Sequence, residues 1–166
     1  MHIARTIKHL FYADWLVRRA FPKATREAIA RSVQMAEQLH AGEIRFAIEG
    51  GLDALPLLRG QTPRERAVEV FSQLRVWDTE HNNGVLVYVL LADHAVEIVA
   101  DRGIHARAGV HTWNAICLQM QSAFAKSDFR SGAVRGVEAL SQALQAHFPK
   151  TTGGANELPN APAMLD

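Results

Sequence analysis

Side chains that carry oxygen ligands stand directly before one apolar run of the sequence, and their types suit a hard divalent cation. The run covers residues 85–91, and the segment before it holds Glu80, Asn82 and Asn83. Carboxylate and amide oxygens are the ligands that calcium and magnesium prefer in proteins. The segment is superficially similar to a calcium loop. It is not an EF-hand, because its glycine comes one residue late and Val89 stands where the bidentate glutamate is needed.

Two extended segments are expected to bring a further carboxylate to these residues. Residues 85–91 are apolar and aromatic throughout, which is typical of a strand covered on both faces. A second apolar run, residues 95–100, follows after a gap too short for a parallel crossover, so the two strands form an antiparallel hairpin. The end of the second strand then lies beside the start of the first. Asp101 should therefore lie close to Asn82 and Asn83.

A third strand adds Glu43 to the same end of the sheet. Residues 43–49 alternate apolar and mostly polar side chains, which predicts a strand nearer an edge. Thr62, Pro63 and Glu65 mark a helix start with a capping box. The resulting strand–helix–strand unit makes residues 43–49 parallel to residues 85–91. The whole chain is predicted to fold as an α/β, three-layer α/β/α sandwich with a small mixed central sheet.

The opposite end of the sheet is the second candidate for a site. Ligands of open α/β sheets commonly bind beyond the carboxyl ends of parallel strands, and Gly50-Gly51 would allow a close approach of the backbone there. No glycine-rich turn opens into a helix at phosphate-binding spacing, and no nucleophile motif of the hydrolases occurs. Asn83-Gly84 also has a plain structural interpretation as a turn. The residues alone therefore do not establish an enzyme.

Composition limits the classes of protein and of compartment. The net charge is +1 and the basic residues are scattered, which argues against a nucleic-acid-binding protein. Cys117 is the single cysteine, so no intrachain disulfide forms. Neither a signal peptide nor an apolar segment of the ~20 residues that a membrane span needs is found. The expected location is cytoplasmic.

Three regions are expected along the chain. Residues 1–21 hold an amphipathic helix, predicted over residues 2–20, whose flanking basic residues would allow contact with a membrane surface, with its own domain or with a partner. Within it, His2 and His9 are interpreted as surface histidines. Residues 22–149 form the α/β/α domain. Residues 150–166 contain glycine and proline with little to bury, which predicts a mobile tail.

Four short motifs, in order and register, resemble the TPM domain family over about residues 25–148. They are residues 42–45, 67–71, 82–86 and 101–104, joined by Phe129, Gly132 and Gly136. The resemblance implies an α/β/α sandwich with a mixed sheet. It also implies that the asparagine pair, Gly84 and Asp101 belong to the functional end, with calcium-type binding in some members and weak acid phosphatase activity in others.

Two functions follow as expectations. The first is a divalent-cation domain that binds Ca²⁺ or Mg²⁺, uses no organic cofactor, and hydrolyses phosphomonoesters weakly. Asp101 and Arg102 are its candidate catalytic residues, with Arg102 meeting the phosphate, and its metal ligands would be Glu43, Glu80, Asn82, Asn83 and Asp101. The second is a non-catalytic interaction module that assists assembly or quality control of membrane complexes. There the helix over residues 2–20 would bind a protein partner or a second copy.

Overall fold

A computed structural model describes residues 2–10, 12, 14–150 and 155–165 of the chain. Its helices are α1 His2–Leu10, α2 Asp14–Ala20, α3 Lys23–Ala36, α4 Ala54–Leu58, α5 Pro63–Gln73, α6 Arg102–Ala108, α7 Val110–Phe124 and α8 Phe129–His147. Its strands are β1 Glu43–Glu49, β2 Gly84–Leu90, β3 Ala95–Ala100 and β4 Ala163–Leu165. No helix within the described part of the chain is long and apolar enough to cross a membrane.

The sheet has the order β3-β2-β1-β4. Strands β1 and β2 are parallel, with Glu43 opposite Gly84, and β3 runs antiparallel to β2, with Ala100 opposite Val85. The predicted hairpin and the predicted strand–helix–strand unit are thus confirmed. At the start of α5, Thr62 and Glu65 form the predicted capping box, in which each side chain accepts a hydrogen bond from the other residue's backbone N–H.

Each face of the sheet buries its own hydrophobic cluster, which gives the predicted α/β/α sandwich. One cluster places alternate residues of β1, β2 and β3 against α3, α7 and α8. The other places Ala47 of β1 and alternate residues of β2, including the fully buried Tyr88, against α4 and α5. Because β2 is buried on both faces, all seven of its residues are inaccessible to solvent, as its unbroken apolar sequence indicated.

The two ends of the chain differ from expectation. The predicted helix over residues 2–20 is two helices, α1 and α2, and Phe11 between them lies outside the described residues. His9 is buried rather than exposed. It donates to Asp93 through Nε2 (2.9 Å) and accepts the N–H of Leu52 at Nδ1 (2.8 Å), while Arg5 pairs with the same carboxylate at 2.7 Å. Packing on its own domain therefore positions α1.

The region predicted to be a tail also contributes to the fold. Of residues 150–166, the described part from 155 to 165 includes β4, which pairs in parallel with residues 47–49 of β1. Leu158 is buried in the cluster beneath α4 and α5. In its described part, the segment predicted to be a mobile tail therefore packs on the domain through Leu158 and the three strand residues of β4.

Candidate functional site

A polar cleft of about 370 Å³ opens at the amino ends of β1 and β2. Three of the residues expected to bind a cation, Glu43, Glu80 and Asn83, line it together. Its other walls come from the end of α3, the loop before β2 and the segment before β4: Glu37, His40, Ala41, His81, Lys150, Ala155 and Glu157. The lining thus holds four carboxylates and one lysine.

Local backbone packing brings the two central residues of the cleft together. The N–H of Glu43 donates to the carbonyl of Asn83 (3.0 Å), and the N–H of Asn83 donates to Oγ1 of Thr79 (3.0 Å). Gly84 follows, and a Cβ atom on it would lie 1.9 Å from the carbonyl oxygen of Val76. Glycine is required there because the preceding loop passes directly over it.

Two deeply buried side chains, Asn83 and His40, each have one polar atom without a hydrogen-bond partner in the part of the chain that the structure describes. Asn83 is 6% exposed; its Nδ2 donates to the carbonyl of Ala41, and its Oδ1 has no hydrogen-bond partner among the described residues. His40 is 1% exposed and its Nδ1 accepts the N–H of Gly42 (3.1 Å), so the neutral ring carries its proton on Nε2, which has no partner there either. Burial lowers the pKa of His40 to about 4, which keeps the ring neutral. The cleft wall therefore presents one buried acceptor and one buried donor.

Three of the four carboxylates of the cleft, those of Glu37, Glu43 and Glu157, accept hydrogen bonds from backbone N–H groups. Glu37 accepts the N–H of Ile44 (2.9 Å); burial raises its pKa to about 7, and the charge of Glu43 adds to that rise. Burial also raises the pKa of Glu43. Among the described residues, no ion pair within 4 Å joins Glu37, Glu43, Glu80 or Glu157 to a cation. Lys150 instead donates to the backbone carbonyl of Glu37 (2.8 Å).

The cleft has the donor chemistry of a cation site without a completed cage. No three His, Cys, Asp or Glu side chains of the described ranges are grouped closely enough to hold a metal ion as they stand. The carboxylates of Glu37, Glu43 and Glu157 accept backbone N–H groups rather than converging on one point. Several negative charges in a partly desolvated cleft repel one another, so the cleft favours a cation that can lie between them.

Three residues named from the sequence lie outside the cleft. Asp101 does return to the start of β2, since its N–H donates to the carbonyl of Gly84 (2.9 Å), but its side chain caps α6 by accepting the N–H of Arg102 (2.6 Å). Asn82 is exposed, with a left-handed backbone (φ 50°) that asparagine tolerates well. Arg102 is exposed on α6. The hairpin thus positions the backbone of Asp101 as expected and turns its carboxylate elsewhere.

Among the residues of the cleft that the sequence did not predict are Glu37, His40 and Glu157. Glu37 and His40 follow α3, whose chain leads directly into the amino end of β1, so their position could have been read from the order of the predicted elements. Glu157 gave no such signal, because it lies in a short polar segment that has the composition of a tail.

Comparison with known proteins agrees with this architecture. The solution NMR structure of the BA42 protein from the psychrophilic bacterium Bizionia argentinensis is similar to this chain at 30% sequence identity, with a TM-score of 0.71. The match covers 85% of this chain and 92% of that one. No curated protein matches the sequence. The model of the TPM domain matches residues 18–143, which is most of the chain. The protein therefore belongs to the TPM domain family.

Proposed function

We propose that this protein is a divalent-cation-binding domain of the calcium type and that the cleft at the amino ends of β1 and β2 is its site. The observation that carries the proposal is the buried Oδ1 of Asn83, an oxygen acceptor that has no hydrogen-bond partner among the described residues and lies in a cleft of four carboxylates. A buried acceptor left unsatisfied is costly, and a bound cation would satisfy it.

The residues present fit an oxygen-preferring ion. Glu43, Glu80 and Asn83 would hold it, with Glu37 and Glu157 as further carboxylates in reach of the same cleft. The Glu43 carboxylate makes its hydrogen bonds through Oε2, which leaves Oε1 for an ion. His40 would not be a ligand, because its free nitrogen carries a proton; it would donate to a water or carboxylate oxygen beside the ion. A bound cation would supply positive charge to the cleft.

Two further expectations from the sequence, phosphatase activity and a role as an interaction module, are not part of this proposal. Phosphomonoester hydrolysis remains a prediction from the family resemblance, since Asp101 caps a helix and Arg102 is exposed away from the cleft. A role as an interaction module likewise remains a prediction. Trp15 and Ile7 expose more than half of their surface on α2 and α1, where such a partner would bind.

A calcium titration followed by amide NMR tests the proposal. Saturable shifts are expected at residues 37–43, 79–84 and 155–158, together with a heat of binding in calorimetry. Glu43→Gln should weaken binding by on the order of tenfold or more, because it removes a charged ligand. Glu27→Gln, on the exposed part of α3, is the matched control and should bind as the wild type does.

The variant Asp101→Asn distinguishes a site in the cleft from a site at residues 101–103. The cleft proposal expects unchanged calcium affinity in this variant. Shifts centred on residues 101–103, or no saturable shifts at millimolar calcium, would overturn the proposal.

A further inference from the structure

The segment 155–165, here called the C-terminal strap, runs along the outer edge of β1. Its β4 residues pair with residues 47–49 near one end of β1. In the middle, Nη1 of Arg45 donates to the carbonyls of Pro159 (2.8 Å) and Ala161. At the other end Leu158 is buried. The strap therefore contacts β1 along the whole strand, from residues 47–49 at the carboxyl end to Glu43 at the amino end, which lines the cleft.

The strap and the cleft hold each other through a reciprocal set of hydrogen bonds. Oε2 of Glu43 accepts the N–H groups of Glu157 (3.2 Å) and Leu158 (3.3 Å). Oε2 of Glu157 accepts the N–H of Glu80 (2.9 Å). Docking the strap thus places the Glu157 carboxylate in the cleft and fixes the orientation of Glu43.

The same contact also brings two negative charges together. Both carboxylates line the same cleft, and Oε2 of Glu43 accepts the N–H of Glu157 itself, so their negative charges lie close together and repel each other. The hydrogen bonds favour the docked strap and the repulsion opposes it. A cation in the cleft would offset the repulsion between the two carboxylates, while the hydrogen bonds would continue to favour the docked strap.

We infer that docking of the C-terminal strap and cation binding in the cleft are reciprocally coupled, with Glu157 as the carboxylate that the strap supplies. This inference rests on the proposed function. Because linkage is reciprocal, the factor by which a docked strap tightens cation binding equals the factor by which the cation tightens strap docking. Of the strap residues, Leu158 alone is buried, so the strap and its strand β4 can detach while β1, β2 and β3 stay paired.

The test uses the full chain and a variant that loosens the strap away from the cleft. Arg45→Met removes the hydrogen bonds to the strap carbonyls and changes no residue that lines the cleft. Calcium affinity of this variant should fall on the order of tenfold, the usual scale of such coupling. Glu27→Gln again serves as control and should not change affinity.

Amide hydrogen exchange of the strap gives the reciprocal readout. Saturating calcium should slow exchange at residues 157, 158 and 163–165 in the wild type, by a factor comparable with the affinity lost in Arg45→Met. In Glu157→Gln the repulsion is absent, while the amide oxygen can still accept the N–H of Glu80. Strap exchange should therefore be slower than in the wild type without calcium, and nearly insensitive to calcium.

The experiments distinguish a failure of the coupling from a failure of the proposed function. A wild-type protein that binds calcium in the cleft, with strap exchange unchanged by the ion and with normal affinity in Arg45→Met, overturns the coupling and leaves the proposed function standing. A wild-type protein that binds no calcium overturns both.

Discussion

Replacing Glu37 by glutamine should stabilise the protein in a way that depends on pH. Glu37 is 9% exposed at the end of α3 and lies beside Glu43 in the cleft. Burial, with the charge of Glu43 as a smaller cause, raises its pKa from an ordinary 4.5 to about 7. The ionised form is therefore less favourable in the folded protein than in the unfolded chain.

The sign and size of the effect follow from the two pKa values. Below pH 4 the Glu37 carboxyl is protonated in both the folded and the unfolded state, so it does not lower the free energy of unfolding. As the pH rises, the unfolded chain releases its proton first, so the stability of the fold decreases until Glu37 ionises in the folded state near pH 7. Between pH 5 and pH 8 this amounts to about 2 kcal/mol of unfolding free energy. Glutamine keeps an oxygen for the N–H of Ile44 and carries no charge, so the variant avoids the loss.

Urea denaturation in the presence of a chelator measures the difference. Glu37→Gln should exceed the wild type by about 2 kcal/mol more at pH 8 than at pH 5. Glu27→Gln, at an exposed position of the same helix, should show no pH-dependent gain. An equal difference at the two pH values, or a variant less stable at pH 8, would refute the electrostatic reasoning.

Three further substitutions test the packing at the two ends of the sheet, Gly51 and Arg66 at the carboxyl end of β1 and Gly84 beside the cleft. Gly51→Ala would place a Cβ atom 2.8 Å from the carbonyl oxygen of His9, so α1 must move; hydrogen exchange should accelerate in residues 2–10 and stay unchanged in β1 and β2. Arg66→Met should cost about 3–5 kcal/mol in chemical denaturation, because it leaves the buried carboxylate of Glu49 without its cationic partner at 2.7 Å and with only the Tyr88 hydroxyl as a donor. Gly84→Ala should lower stability by about 3 kcal/mol or more, and a thermal melt close to that of the wild type would contradict the close backbone approach.

The elements that the sequence predicts well are those encoded by local signals. A short gap between two apolar runs leaves only a hairpin for β2 and β3, and Thr62 with Glu65 specifies the start of α5. Parallel pairing of β1 and β2 follows from the helix between them. The backbone of the candidate site is therefore predictable from the chain.

The side chains of the site are less predictable because their contacts are set by neighbours distant in sequence. Glu157 is held at the cleft by its backbone N–H, which donates to the carboxylate of Glu43, 114 positions away. The strand that anchors it has three residues, too few for a periodic pattern. Asp101 shows the opposite case: its position was predicted, but a helix starting at the next residue takes its carboxylate as a cap.

The general rule for open α/β sheets would place a ligand at the carboxyl ends of β1 and β2, and the fold explains why that end is closed here. A Cβ atom on Gly50 would lie 2.8 Å from Val17, and one on Gly51 would meet the backbone of His9. These two glycines therefore admit the amino-terminal segment rather than a ligand, and Asp93 anchors that segment through Arg5 and His9. The amino ends of the same strands open into the cleft, whose four carboxylates make no ion pair with a described cation. The proposed site therefore lies at the end of the sheet that the amino-terminal segment does not cover.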